Sequence, residues 1–454
     1  MTSSLYEHEI QQLYLCLDVS MLIAMKVLKQ VLVILIVILI SVPLGACGVA
    51  TPMPTATVIS MPSLTPSAVP AGTVPTPTPT PSFTTSTPIP LLSVPEGLRM
   101  VYRTPQGLYI KDGSKPSRQL TQHLEDINPR ISDDGQKIVF ERWVTPLTLY
   151  SINADGSDER ALVTRSKLTE LNLGYDAFGV EYTAFVPGTH LLLFQTSDSQ
   201  GINSDLLLVN TDTGEIKSLL PLGKAFDYYV SPDGTKIALS GTGKPGHIDI
   251  LSINGEMLQD NIATYTRSEP IPLLPNIHWA QDSNSLTIVL PYPTFYDTSG
   301  GAPNYTLWHY TLGENKSIQV PLDPMPKDLV EVSPDGNWVT YRDDSGALYV
   351  GNLRDGNSQV YDPQPGLPLC AWSSDSVHFI YGRGRLYLGA VNTPPVFFGK
   401  GDCISWLDAE RFLYYDYVDK TIVMGGIDGG KIVVLTEARE AFKGNSTFTF
   451  ILLD

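Results

Sequence analysis

Three ten-residue stretches share one order of apolar and polar positions: ISDDGQKIVF (Ile131 to Phe140), VSPDGTKIAL (Val230 to Leu239) and VSPDGNWVTY (Val332 to Tyr341). Each opens on an apolar residue, passes through a polar Ser-x-Asp-Gly, and resumes with a mostly apolar run. Pro presets φ for a turn, Asp bonds its own backbone, and Gly accepts positive φ. The pattern predicts a strand, a tight bulged turn and a returning strand. Looser copies begin at Phe185, Trp279, Trp372 and Trp406 (FVPGTHLLLF, WAQDSNSLTI, WSSDSVHFIY, WLDAERFLYY). Copies recur every 35 to 55 residues or so, roughly the period of solenoids and propellers.

A second apolar run follows most copies and ends in Asn, Asp or Gly. LTLYSINADG (Leu147 to Gly156), DLLLVNTDTG (Asp205 to Gly214), HIDILSINGE (His247 to Glu256), ALYVGNLRDG (Ala347 to Gly356) and RLYLGAVNT (Arg385 to Thr393) read alike. Each predicts a strand entering a turn. A last short run follows, as near Leu162 and Val433. Four short strands per repeat make one propeller blade, and such blades bury their faces only against neighbours.

LRMVYRT (Leu98 to Thr104), GLYIKDG (Gly107 to Gly113) and SRQLT (Ser117 to Thr121) match strands two, three and four of a blade that lacks its first. In STFTFILLD at the other end, Phe448, Phe450 and Leu452 alternate as in a strand and supply the missing one. The expected fold is all-β, a propeller of four-stranded antiparallel blades. Its N- and C-terminal strands share one blade and close the ring. Eight blades are expected; seven is the alternative, because the copies from Phe185 and Trp406 are degenerate. The expected domains are 1–46 (an N-terminal extension and a signal segment), 47–95 (a linker) and 96–454 (the propeller).

Residues 1–24 read as an extension upstream of a start at Met25. Lys26 and Lys29 then precede the apolar run Val31 to Ile40, and Leu44-Gly45-Ala46-Cys47 follows. A positive segment, a short apolar core and small residues form a secretory signal. The core is shorter than the roughly 20 apolar residues of a comfortable membrane span. Residues 48–93 are rich in Pro, Thr and Ser, as in TVPTPTPTPSFTTSTPIP. Such a composition buries no core and favours extended polyproline II. At about 3.1 Å per residue the segment would reach on the order of 140 Å, which suits a spacer.

The net charge of −17 leaves no basic face for phosphates, so nucleic acid is not expected as a partner. Of the four cysteines (Cys16, Cys47, Cys370, Cys403), none forms a Cys-x-x-Cys pair. Cys370 and Cys403 fall on the innermost strands of consecutive blades, just before Trp372 and Trp406. An exported chain can oxidise such a pair. Their registers differ by one residue relative to the tryptophans, so a disulfide and two buried thiols both stay open. A Cα separation above about 7 Å would exclude the bridge.

The sequence holds no Gly-x-Ser-x-Gly, no Gly-x-x-x-x-Gly-Lys-Ser/Thr, and no His-Glu-x-x-His or i, i+4 pair among its seven histidines. No catalytic, cofactor or metal residue is assigned. The acidic turn Asn153 to Glu159 is first explained by turn chemistry rather than calcium. Tryptophan, isoleucine and valine alternate at the opening apolar slot, so the slot is expected to pack between sheets rather than stack a ligand. Arg130, His278 and Glu331 stand beside that slot, near the central channel. A buried hydrogen-bond network is the first expectation for them, and a ligand cluster the second. Two insertions, Leu168 to Gly179 and the Tyr- and Gly-rich Tyr292 to Tyr305, are candidate docking loops, with ordinary long loops as the alternative.

Leu44 to Cys47 resembles the lipobox of bacterial lipoproteins. The resemblance implies a diacylglyceryl group on Cys47, which becomes the new N-terminus. It implies a membrane anchor of several acyl chains, with the folded domain in the cell envelope outside the cytoplasm. ISDDGQKIVF followed by LTLYSINADGSDERALVT resembles the WD40-like PD40 repeats of TolB and its relatives. The match is strongest over Asn128 to Thr164, Asp227 to Asn254 and Glu331 to Gly356. It implies an extracytoplasmic propeller that serves as a binding scaffold. The Pro/Thr linker stands where TolB has an α/β domain, which speaks against TolB's own transport role. The expected partners are the membrane, through the lipid, and a protein or glycan at the propeller loops. The expectation is not an enzyme. The alternative is a glycan- or peptide-active enzyme with paired carboxylates at the propeller mouth.

Overall fold

A computed structural model of the chain describes residues 93–143, 148–171, 179–197, 205–221, 223–241, 243–265, 274–292, 304–314, 316–366, 369–436 and 448–453. Alternating apolar runs and Asp-Gly turns fold into eight four-stranded antiparallel sheets. The eight-bladed expectation is met and seven is set aside, since the degenerate copies at Phe185 and Trp406 each head a complete blade.

Blade 1 combines both chain ends. Phe448–Leu452 is its first strand, and Leu98–Thr104, Gly107–Asp112 and Arg118–Gln119 follow. The first strands of blades 2 to 8 are Asp126–Ile131, Gly179–Phe185, Ala225–Val230, Asn276–Trp279, Asp328–Val332, Leu369–Trp372 and Gly401–Trp406. First strands of neighbouring blades touch around the ring, as in blades 1 and 2, 4 and 5, and 7 and 8. The closing pair runs in the register Met100↔Phe450 and Val101↔Thr449. Leu453 N–H donates to Gly97 O at 2.9 Å. Closure removes the two sheet edges that an open ring would expose.

The apolar interior is divided into eight slabs, each shared by two adjacent blades. Val101, Leu108 and Ile110 of blade 1 meet Ile138, Phe140 and Ile152 of blade 2. Val289 and Leu307 of blade 5 meet Val330, Val332 and Val339 of blade 6. Period-2 alternation thus gives every blade two buried faces, one for each neighbour.

The repeated turn is built by its own side chains. Ser132, Ser231, Ser333 and Ser373 donate to Asp134, Asp233, Asp335 and Asp375. The same hydroxyls accept the N–H groups of Lys137, Lys236, Trp338 and His378. Gly135, Gly234 and Gly336 follow the aspartate with φ near 70°. Two copies put serine there at positive φ, Ser283 and Ser376. These serines are not idle substitutes: their hydroxyls accept the N–H of Asp233 and Asp335 from the preceding blade, at 3.0 and 2.9 Å.

The insertion beginning at Leu168 requires a correction. Arg165–Glu170 is a short helix, capped by Thr164, and Leu168 is buried in the slab between blades 2 and 3. Leu168 itself is therefore core rather than docking loop, because an apolar side chain at this rim has a slab to enter, while Thr169 to Leu171 are exposed. Residues 172–178 lie outside the described residues. Of the second insertion, Tyr292 pairs with Asn304 and Pro291 with Tyr305 as ends of two strands. Residues 293–303 lie outside the description.

Candidate functional site

Each blade's first strand runs toward the face that carries the Ser-x-Asp-Gly turns and the turns between third and fourth strands. We call it the turn face. Both insertions leave from strand ends on the opposite face.

The tryptophan slot is structural. Trp279, Trp372 and Trp406 donate their indole N–H groups to Tyr229 O, Glu331 O and Ala371 O, at 2.9, 3.3 and 3.0 Å. Each acceptor lies one residue before the same slot in the preceding blade. The three tryptophans latch one blade to the next at equivalent places. Packing between sheets was legible from the sequence; the hydrogen bond was not, since its acceptor is a main-chain oxygen some 35 to 50 residues away.

Arg130, His278 and Glu331 occupy equivalent positions on the first strands of blades 2, 5 and 6. They form no common hydrogen-bond network. Nε2 of His278 is buried without a partner, and burial pulls the imidazole down to about 4. Burial raises the Glu331 carboxyl above its ordinary range. It also raises Asp227 on blade 4 and Asp205 at the start of a third strand. Asp205 has a structural duty, accepting both the N–H and the hydroxyl of Thr196. Asp227 and Glu331 come from blades 4 and 6, with the first strand of blade 5 between them.

Arg130 stands in a different setting. It lines a cavity of about 460 Å³ at the turn-face end of the channel, with Ile131, Phe185, Leu407, Phe450 and Leu452. Blades 8, 1, 2 and 3 all contribute. Its guanidinium donates to the neighbouring Pro129 O, at 3.3 Å. Among the described residues one acid stands on the wall, Asp133, whose Oδ2 accepts the Gly188 N–H at 2.7 Å.

A larger and wholly different cavity, about 700 Å³, opens on the same face across blades 1 to 3. Its charged groups are spent on one another. His190 joins Asp134 of blade 2 (2.9 Å) to Asp212 of its own blade 3 (2.7 Å). Lys137 reaches Asp212 at 3.0 Å, and Arg99 reaches Asp112 at 2.5 Å. Sequence reasoning did not find this clasp, because its members come from three separate turns. The acidic turn nearby keeps to turn chemistry: Asp155 Oδ1 accepts the N–H and hydroxyl of Ser157. No cluster of three metal-ligating side chains occurs among the described residues.

Cys370 and Cys403 are joined, with sulfurs 2.00 Å apart and Cα atoms 6.0 Å apart. Both strands bulge at this level, between Leu369 and Ala371 and between Cys403 and Ser405. A bulge interrupts strict alternation of faces. The one-residue offset between the two cysteines is thereby absorbed. Cys47 lies outside the described residues.

No known protein family matches the chain, and no curated protein matches it. Similar solved structures include a eukaryotic initiation factor, at 12% identity over 75% of this chain and 85% of that one, with a TM-score of 0.48. The β-propeller domain of the Trilobed protease from Pyrococcus furiosus is similar at 11% identity, over 70% and 98%, with a TM-score of 0.44. TolB from Acinetobacter baumannii is similar at 10% identity, over 77% and 78%, with a TM-score of 0.33.

Proposed function

We propose that the protein is a lipid-anchored binding protein of the bacterial cell envelope, tethered through Cys47. Its propeller receives a protein or ligand at the turn-face end of the central channel. The observation that supports this reading is the mixed wall of the 460 Å³ cavity: one arginine, two phenylalanines and aliphatic side chains drawn from four blades. The volume falls in the usual range for ligand pockets, roughly 300 to 1,000 Å³, and a wall that mixes apolar and polar groups suits recognition. The enzymatic alternative would draw on Asp227 and Glu331, the two first-strand carboxyls that burial raises.

Expression of the full chain in a bacterial host with labelled palmitate tests the anchor. The label and the membrane fraction are expected to be lost in Cys47→Ser. Photo-crosslinking from position 185 or 407 in intact cells tests the docking end. A specific adduct is expected there and absent from an outer-rim position such as 217. Equal labelling at rim and channel would refute the docking assignment, and Cys47→Ser protein that stays acylated would refute the anchor.

A further inference from the structure

Arg130 is a cation placed where a chain of this composition should supply a partner and does not. The protein carries 47 acidic residues against 30 Lys and Arg. Arg99 is answered by Asp112, Arg142 by Asp126 and Glu159, and Arg411 by Asp408. Among the described residues Arg130 meets a main-chain oxygen, at 3.3 Å, and no carboxylate. A guanidinium presents a planar fork of donors that matches a carboxylate in two parallel bonds. Around this fork the cavity wall is mixed, with Phe185 from blade 3 and Phe450 from the closing strand beside aliphatic side chains, Asp133 and Thr449. The aromatic and aliphatic members of this wall can cover a hydrocarbon body beside the charged pair.

The geometry points to a recognition site for a monocarboxylate with an aromatic or branched apolar body, its carboxylate on Arg130 and its body between Phe185 and Phe450. Asp133 at the same wall sets the charge limit. One negative group is matched by Arg130, whereas a second negative charge, as on a phosphate monoester, would face Asp133 unmatched. The same chemistry is offered by a free organic acid and by the terminal carboxylate of a peptide. Because one wall is the closing strand, an occupied site would also tie blades 8, 1, 2 and 3 across the seam of the ring.

This assignment rests on the channel end being the docking site. The test uses the full chain in detergent and calorimetric titration with four probes: 3-phenylpropanoate, 3-phenylpropanamide, phenyl phosphate and the dipeptide acetyl-Gly-Phe. 3-Phenylpropanoate is expected to bind one to one, at least tenfold tighter than its amide and tighter than phenyl phosphate, and to raise the melting temperature. Arg130→Ala and Arg130→Gln are expected to remove the preference for acid over amide, while Arg130→Lys retains part of it. Binding of acetyl-Gly-Phe tighter than that of 3-phenylpropanoate would identify the peptide terminus as the source; the reverse would identify a free acid. Equal affinity for acid and amide in the unaltered protein would overturn the assignment without needing any variant, and so would an unchanged preference in Arg130→Gln. If that failure comes with specific crosslinking from position 185, the carboxylate assignment alone falls. If crosslinking is absent as well, the docking reading falls with it.

Discussion

His190 gives the most direct test of how the blades are held together. Its two ring nitrogens face carboxylates on two blades, Asp134 at 2.9 Å and Asp212 at 2.7 Å, with Lys137 against Asp212 and Ser132 against Asp134. Both bonds are donated only by the protonated ring. Burial lowers the pKa of His190, but the hydrogen bonds to Asp212 and Asp134 outweigh it and the net shift is upward. A raised histidine contributes stability that is complete below its unfolded value of about 6.5 and disappears as pH rises through the folded value. Asp134 and Asp212 are shifted down, despite burial, chiefly by their hydrogen bonds to Ser132 and His190 respectively. Their contribution is therefore present above about 4 and lost as pH falls through their folded values. The clasp is strongest between about pH 4 and 6.5. The aspartates are about half exposed (48%), so each bond is worth only a surface value. Two such bonds amount to about 1 kcal/mol. His190→Ala is accordingly expected to cost about 1 kcal/mol at pH 5.5 and less than half of that at pH 8.5, by urea unfolding at both pH values. An imidazole NMR titration should place the His190 midpoint above the ordinary value. A cost that is equal at the two pH values, or larger at pH 8.5, would refute the reasoning.

Three other perturbations test the ring. Trp279→Phe keeps an aromatic ring but removes the latch to Tyr229 O, and should cost about 1 kcal/mol; thermal unfolding of this variant beside Trp338→Phe, at a slab tryptophan, separates the latch from general loss of bulk. Cys370→Ser with Cys403→Ser opens a link between residues 33 apart and should lower unfolding free energy by roughly 3 to 4 kcal/mol, with no further effect of dithiothreitol on the variant. Gly234→Ala meets Pro187 O at 2.6 Å with φ at +69°, whereas Gly429→Ala at φ +86° meets nothing within 4 Å. Both pay about 1 kcal/mol for left-handed backbone, so the excess cost of Gly234→Ala in denaturant melts reports the clash between blades 3 and 4.

The chain's own residues determined the blade because its information is local. Alternation fixes two apolar faces, and Ser-x-Asp-Gly makes its bonds within six residues. Closure was also legible, since a first blade short of one strand and a last strand without a sheet complete each other. What only the tertiary structure decided lies between blades. The indole N–H groups find oxygens of the preceding blade, bulges bring Cys370 and Cys403 onto one another, and Leu168 enters a slab. His190 meets its aspartates, while Arg130 meets no carboxylate in a cavity of four blades. Turn chemistry depends on neighbours along the chain, which a sequence displays. Pairing across a ring depends on the angle and offset between sheets, which arise only when all eight are packed at once.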